Sequence, residues 1–312
     1  MTVQPQNFSD DRMTGVLAAA LTPMKSDLTP DDELLFDHCQ WLLADGCDGI
    51  AVLGTTGEAN SFCLKERIRI VESLVDKGIK GDQLMPGTGS SALTEAVIMT
   101  KSAVDFGAKG VLVLPPFYYK EPSDDGLFAY YSEIIQRIAD DRLKIYLYHF
   151  PQMSMIPISQ NLIKRLIQAY PNTVVGMKDS SGDFANMKSN IDMFPGFAVF
   201  SGADNLLLDA VRSGGAGCIT ATANVAAKLL AEIYRAAKTG ADTPAAHELI
   251  CDLHDATFAR PFIAGLKYWM AQHMNDDRWF NIRPPLEMLD GGQKSAHDHA
   301  LDVINFKITA KV

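Results

Sequence analysis

The sequence predicts an α/β fold, a (β/α)8 TIM barrel carrying a C-terminal helical extension. Short β-rich runs alternate with stretches of helical spacing through most of the chain. The helix-to-strand joint recurs as Gly-x-x-Gly before an apolar run, at Gly46-Cys47-Asp48-Gly49, Gly107-Ala108-Lys109-Gly110 and Gly214-Gly215-Ala216-Gly217. Eight such strand runs, with no G-x-G-x-x-G after the first, fit a closed barrel better than a doubly wound sheet. The length of 312 residues exceeds the usual single-domain range but not that of a large β/α barrel.

Strands are expected at 15–20, 49–53, 83–87, 110–114, 144–149, 174–178, 198–201 and 217–221. The near-continuous apolar run at 110–114 fits a strand covered on both faces. Helical spacing occupies 31–44, 64–77, 92–106 and 126–138. In the repeated joint the first Gly suits the left-handed position that ends a helix, and the second lets the chain enter a crowded strand. Beyond the eighth strand the pattern becomes wholly helical at 226–238, 245–260 and 263–273, punctuated by Pro244, Pro261 and Pro284-Pro285. We therefore expect a catalytic barrel at 13–235 and a helical segment at 236–312 that caps the barrel or builds a subunit interface. The polar stretch 291–299, with His297 and His299, reads as a solvated tail.

Hydrophobic residues at 47% and charged ones at 21% are the balance of a folded soluble protein, not of a collagenous or disordered chain. A net charge of −10 argues against a nucleic-acid partner, which calls for a concentrated basic face. Five cysteines, odd in number and without a C-x-x-C pair, fit a reducing compartment and ordinary core packing. Residues 1–11 carry Pro5, Asn7, Asp10 and Asp11 and no apolar stretch, so no secretory signal is expected there. No run approaches the roughly eighteen apolar residues of a membrane span. The expected location is cytoplasmic, with no membrane partner.

Chemistry in such a barrel collects where strands end. Lys178 closes the apolar run Val-Val-Gly-Met, where desolvation would favour the neutral amine that a Schiff base requires. A salt bridge to Asp179 or a snorkelling surface lysine is the plainer reading of the same residue. Tyr148 ends the neighbouring strand, where its phenol could pass protons or simply fill the core. Gly54-Thr55-Thr56-Gly57 offers backbone N–H groups and two hydroxyls that would cradle a carboxylate or phosphate, or cap a helix. Capping accounts for Asp179 and Asp183 around their Ser-Ser-Gly turn. No His/Asp/Glu cluster has metal-ligand spacing, so no metal is expected, and no Ser/His/Asp signature occurs.

With these motifs in place the chain resembles the pyruvate-dependent class I aldolases and lyases that include dihydrodipicolinate synthase and N-acetylneuraminate lyase. The resemblance runs from about residue 15 to 285. It rests on Gly-Thr-Thr-Gly-Glu at 54–58, Tyr-x-x-Pro at 148–151, Gly-x-Lys-Asp-Ser-Ser-Gly-Asp at 176–183, and Gly-Gly-x-Gly-x-Ile with Ala-Asn-Val within 214–225. It implies that Lys178 is the amine that condenses with pyruvate or a 2-oxo acid, and that Tyr148 relays protons. It implies that Thr55 and Thr56 hold the pyruvate carboxylate, with the Thr56 hydroxyl linking towards Tyr148. No cofactor beyond the lysine imine is implied, and the assembly implied is a homotetramer built from dimers. The family tyrosine that reaches a neighbouring subunit's site falls at Tyr118 or Tyr119, of which Tyr118 is taken as catalytic.

Departures from the family pattern bear on the second substrate. Dihydrodipicolinate synthases carry Asn after the strand-five tyrosine and Arg five residues after it; here His149 and Met153 stand there. Loss of a bidentate carboxylate grip costs on the order of 2–5 kcal/mol of binding. N-acetylneuraminate lyases show Asp-Glu after strand seven and Ser beside strand eight; here they are Asp204, Asn205 and Ala221. The expected reaction is reversible cleavage of a 2-keto-3-deoxy sugar acid or 4-hydroxy-2-oxo acid to pyruvate and an aldehyde, with polyhydroxylated aldehydes favoured. Alternatives are 4-hydroxy-tetrahydrodipicolinate synthesis from aspartate semialdehyde, dehydration of a deoxy sugar acid through the same imine, and a non-catalytic 2-oxo acid sensor. Gly54, Thr55, Thr56, His149, Met153, Ser180, Asp204 and Thr220 are expected to line the substrate pocket.

Overall fold

The computed structural model describes residues 12–259 and 261–308. The segment 1–11, read above as free of a secretory signal, lies outside them, as do Arg260 and residues 309–312. Seven parallel strands form one curled sheet: β1 (Gly15–Ala18), β2 (Gly49–Ile50), β3 (Val111–Val113), β4 (Ile145–His149), β5 (Val174–Asp179), β6 (Ala198–Ser201) and β7 (Gly217–Thr220). Their order is β2-β1-β7-β6-β5-β4-β3. The expected strand at 83–87 appears only as isolated parallel bridges, Ile50 to Leu84 and Gly87 to Leu112. It lies between β2 and β3 and closes the ring as the eighth member of a (β/α)8 barrel. Pro86 explains its reduced form, because proline has no N–H to give to the ladder.

The barrel interior is filled by Leu17, Met85, Leu112, Tyr146, Val175, Phe200 and Ile219. Tyr146 fits because two neighbours lack side chains. A Cβ on Gly110 or on Gly176 would sit 2.5 Å from its ring. Its hydroxyl accepts a hydrogen bond from the Met13 amide at 2.9 Å, plugging the end of the barrel opposite the strand C-termini. The repeated joint behaves as expected. Gly46, Gly107 and Gly214 take φ of +119°, +80° and +100°, values that favour glycine.

The helices Asp32–Ala44, Leu64–Asp76, Leu93–Asp105 and Asp124–Ile138 lie within a few residues of expectation. The helix Ala223–Thr239, kinked at Ala226, continues past residue 235, so the barrel passes into the C-terminal segment without a linker. Pro244–Phe258 and Phe262–Met274 follow, each opening at or just after a proline. The stretch read as a solvated tail is instead a helix, Gly291–Val303. Its polar composition hides it, but Asp290 and Gln293 form a capping box, and His297 is buried with its ring edge-on to Trp269 at 5.3 Å. The cysteines also depart in part from core packing: Cys39, Cys47 and Cys218 are buried, whereas Cys63 is exposed. Among the described residues no helix is long and apolar enough to cross a membrane.

Several ion pairs fasten the C-terminal segment to the barrel, and two of them hold Glu66 and Glu58. The Arg283 guanidinium grips Glu66 through both terminal nitrogens, at 3.0 and 2.5 Å, and donates further hydrogen bonds to the carbonyls of Leu28 and Ser61. The second pair joins Lys267 to Glu58 at 2.5 Å, with both side chains fully buried. Lys267 also donates to the Asn281 carbonyl at 2.8 Å. Burial pushes its ammonium pKa below the usual value, and Glu58 opposes that shift.

Both pairs generate expectations for stability. The Arg283 hydrogen bonds lower the Glu66 pKa from 4.5 to about 2. A depressed carboxylate stabilises the fold above its unfolded pKa, and that contribution fades as pH falls through the folded value. Glu66→Gln should therefore flatten the acid limb of a stability–pH curve between about 4.5 and about 2, measured by urea unfolding. Lys267→Met strands a buried carboxylate and should cost about 3–5 kcal/mol. The double variant with Glu58→Gln should recover much of that loss in the same assay.

Candidate active site

Parallel pairing of β4 with β5 sets Tyr148 directly opposite Lys178, and β5 with β6 sets Lys178 opposite Phe200. Lys178 is 5% exposed and Tyr148 3%, so both groups stand at the barrel mouth in a largely protein environment. The Lys178 ammonium donates to the Tyr148 hydroxyl at 3.4 Å and lies 4.6 Å from the centre of the same ring. Salt bridging to Asp179, the plainer reading of Lys178, is not how that aspartate is used. Its carboxylate accepts from the Ser181 amide and hydroxyl and, on the other oxygen, from the Asn186 amide. Asp183 caps the helix Phe184–Met193.

After β2 the chain turns sharply, with Leu53 at φ +59° and Glu58 at +55°. Glu58 is anchored by Lys267, which fixes the Gly-Thr-Thr-Gly loop against the C-terminal helices. The Thr55 hydroxyl lies 3.4 Å from the Tyr148 hydroxyl, so a chain of Thr55, Tyr148 and Lys178 spans three barrel elements. The family resemblance implies that Thr56 makes the link to Tyr148. Thr55 makes it instead, and Thr56 is buried beside it on the cavity wall.

These groups open into a cavity of about 510 Å3. Of the expected pocket residues, Thr55, Thr56, Tyr148, Met153, Lys178 and Ser180 line it. His149, Asp204, Thr220 and Gly54 do not. His149 is buried with its Nδ1 accepting from the Ile158 amide at 3.0 Å, and burial lowers its pKa although Asp179 pulls the other way. The Thr220 hydroxyl donates to Asp204 at 2.5 Å, and both are fully buried behind the wall. Tyr118 is 72% exposed and Tyr119 77%, packed edge to face on each other, and neither lines the cavity of its own chain.

Sequence reasoning missed the roof. His254, Phe258, Pro261, Phe262, Ile282, Leu286 and Glu287, all from the segment read as a cap or interface, complete the enclosure. His254 Nδ1 lies 3.2 Å from Asp204, which connects the cavity surface to the buried Thr220. Burial disfavours the imidazolium, but Asp204, with Asp255 beyond it, outweighs that and raises the His254 pKa above 6.5. The one available signal was a His ten residues past Pro244 in a helix that follows the last strand, which is too common a pattern to single out. Asn224, in the Ala-Asn-Val motif, is structural. Its amide oxygen accepts from Leu21 and stands 2.8 Å from His38 Nε2, while its nitrogen donates to the carbonyls of Ala19 and Ala221.

A buried lysine and tyrosine in contact at the mouth of a closed (β/α)8 barrel, beside a Gly-Thr-Thr-Gly turn, place the chain among barrel lyases. The sequence profile of the dihydrodipicolinate synthetase family matches residues 12–303, and the chain belongs to that family. It is 36% identical to an uncharacterized DapA-like lyase of Chloroflexus aurantiacus over 77% of this chain and 80% of the relative. It is 32% identical to the 4-hydroxy-tetrahydrodipicolinate synthase of Agrobacterium fabrum over 92% and 97% of the two chains. The crystal structure of dihydrodipicolinate synthase from Agrobacterium tumefaciens superposes with a TM-score of 0.85 at 29% identity, covering 93% of this chain and 99% of the other.

The charge state of His254 is testable. A histidine with a raised folded pKa stabilises the protein fully below its unfolded pKa and loses that contribution as pH rises through the folded value. The stability difference between wild type and His254→Gln should therefore be largest below about pH 6.5 and shrink at higher pH. Asp204→Asn should lower the His254 pKa in an NMR titration. An unchanged pKa in that variant would show that Asp204 is not what holds the proton.

Proposed function

We propose that this protein is a class I lyase that forms a Schiff base between Lys178 and a 4-hydroxy-2-oxo acid and reversibly releases pyruvate and an aldehyde. The observation that carries the reading is the Tyr148 hydroxyl, 3.4 Å from both the Lys178 ammonium and the Thr55 hydroxyl inside the cavity. Lys178 adds to the C2 carbonyl, and the carbinolamine loses water to give the protonated imine. Tyr148 supplies the proton that leaves with that water. The resulting phenolate takes the proton of the C4 hydroxyl as the C3–C4 bond breaks. The bond's electron pair moves through C3 into the iminium, which becomes an enamine, and C4 departs as the aldehyde. Tyr148 then returns the proton to C3, and water hydrolyses the imine to pyruvate and free Lys178.

Thr56 and the backbone of the 54–57 turn are the proposed grip on the substrate carboxylate, since turn amides and hydroxyls favour an anion. The lysine imine is itself the electron sink, so the reaction as written uses no metal or organic cofactor. The proposed assembly is a homotetramer of dimers. Paired exposed tyrosines at Tyr118 and Tyr119 are the kind of aromatic anchor such an interface uses, and they could complete a neighbour's site. Synthesis of 4-hydroxy-tetrahydrodipicolinate is supported by the relatives' names. Against it stands Met153, half-exposed where the family resemblance implies an arginine that holds the aldehyde's carboxylate.

Pyruvate with borohydride should inactivate the protein and leave a reduced adduct on the peptide containing Lys178, read by mass spectrometry. Lys178→Ala should lose both labelling and turnover, and Lys178→Arg as well, because a guanidinium stays charged. Tyr148→Phe should keep some labelling while losing about 10²–10⁴-fold in turnover, the usual worth of a proton relay. Labelling of a different lysine, with turnover surviving in Lys178→Ala, would sink the proposal.

A further inference from the structure

Beyond the amine and hydroxyls grouped around Lys178, the cavity lining is mostly apolar and aromatic. The wall carries two parallel-stacked aromatic pairs: Phe150 on Tyr148, with ring centres 6.0 Å apart and tilted 25°, and Phe258 on Phe262, at 5.4 Å and 30°. Ile282 and Leu286 close the space around them. Two of the polar groups nearby already have partners. The Gln152 amide donates to the Ser181 carbonyl at 2.5 Å, and His254 is held by Asp204. Glu287 adds a carboxylate to the lining, and among the described lining residues Lys178 is the only Lys or Arg.

Such a wall discriminates by what it leaves unpaired. A polyhydroxylated chain placed against it gives up hydrogen bonds to water and gains few in return, which costs free energy for every buried hydroxyl. A carboxylate-bearing aldehyde meets Glu287, a like charge, with no described guanidinium to hold it. A flat apolar ring meets neither penalty and packs against the faces and edges of the aromatic pairs. The volume of about 510 Å3 falls within the roughly 300–1,000 Å3 of sites that enclose a drug-sized molecule, well beyond what a three-carbon acid fills.

We infer that the aldehyde partner carries an aryl substituent, so that the substrate is a 4-aryl-4-hydroxy-2-oxo acid and not a sugar acid. The inference rests on the Schiff-base reading of Lys178 and narrows the substrate within it. The test compares pyruvate release, coupled to lactate dehydrogenase, from 4-hydroxy-2-oxo-4-phenylbutanoate and from 2-keto-3-deoxygluconate. Condensation of pyruvate with aspartate semialdehyde is run beside it. An apolar pocket rejects added hydroxyls by about 10²-fold, so the aryl substrate should lead in kcat/KM by roughly that factor. Phe262→Asn and, separately, Leu286→Asn should each lower kcat/KM for the aryl substrate about tenfold or more, mainly through KM, and narrow its lead. The wild-type comparison decides even if both variants fold poorly. Equal or faster turnover of the sugar acid, or of aspartate semialdehyde, together with a borohydride adduct on Lys178, overturns the aryl assignment alone. Absence of both the adduct and any turnover overturns the Schiff-base reading with it.

Discussion

The site depends first on strand register. Side chains alternate between the two faces of a strand, so a slip of one residue between β4 and β5 would turn either Tyr148 or Lys178 out of the barrel. The pairing of Tyr148 with Lys178 is therefore a structural constraint before it is a chemical one. It is enforced from below by Tyr146, two residues before Tyr148, whose ring needs the empty space over Gly176, two residues before Lys178. One glycine thus sets both the packing of the barrel floor and the height of the amine at its mouth. The register shift between Ile145 and Tyr146 shows the adjustment that this close approach entails.

The mouth needs a second constraint, because strand ends alone do not hold a loop. Glu58 ends the Gly-Thr-Thr-Gly turn in a left-handed conformation and is buried against Lys267 of the C-terminal helices. Sixteen residues on, Arg283 reaches back to Glu66, Leu28 and Ser61. A buried ion pair adds little net stability compared with apolar packing, but it penalises every arrangement that separates its partners. Here that penalty ties Thr55, and through it the contact with Tyr148, to the position of the roof. The C-terminal segment is in this sense part of the active-site wall.

The fold was largely legible because its signals are local and repeated. Apolar runs and the Gly-x-x-Gly joints mark strands and turns wherever the chain enters the barrel. What escaped was decided at a distance. Pro86 reduces one strand to two bridges, and the helix Gly291–Val303 shows no apolar stripe because only His297 on it is buried. The contact pair of Lys178 and Tyr148 was legible for the same reason as the strands that carry it. Its surroundings were not. His149, Asp204 and Thr220 sit at or just past strand ends as expected, but none lines the cavity: His149 accepts from Ile158, Thr220 donates to Asp204, and Asp204 reaches the cavity surface only through His254. Position along a strand predicts which residues reach the mouth, and only the packing behind them decides which face it.

This division has a consequence for how chemistry and specificity are distributed along the chain. The lysine, tyrosine and threonines come from strand ends and the loops beside them, where closure of the barrel allows little variation in geometry. The aromatic roof comes from the junction around Pro261 and from the segment that follows Trp279, outside the βα repeat. Substitutions there change the shape and polarity of the cavity roof without touching strand register or the contact between Tyr148 and Lys178. A barrel built this way can keep the geometry of its strand ends while the rest of its cavity changes, because the two demands are met by different parts of the sequence. Met153, from the loop after β4, shares the cavity with Phe258, Phe262 and Leu286 from the C-terminal segment, so both parts of the chain shape the same space.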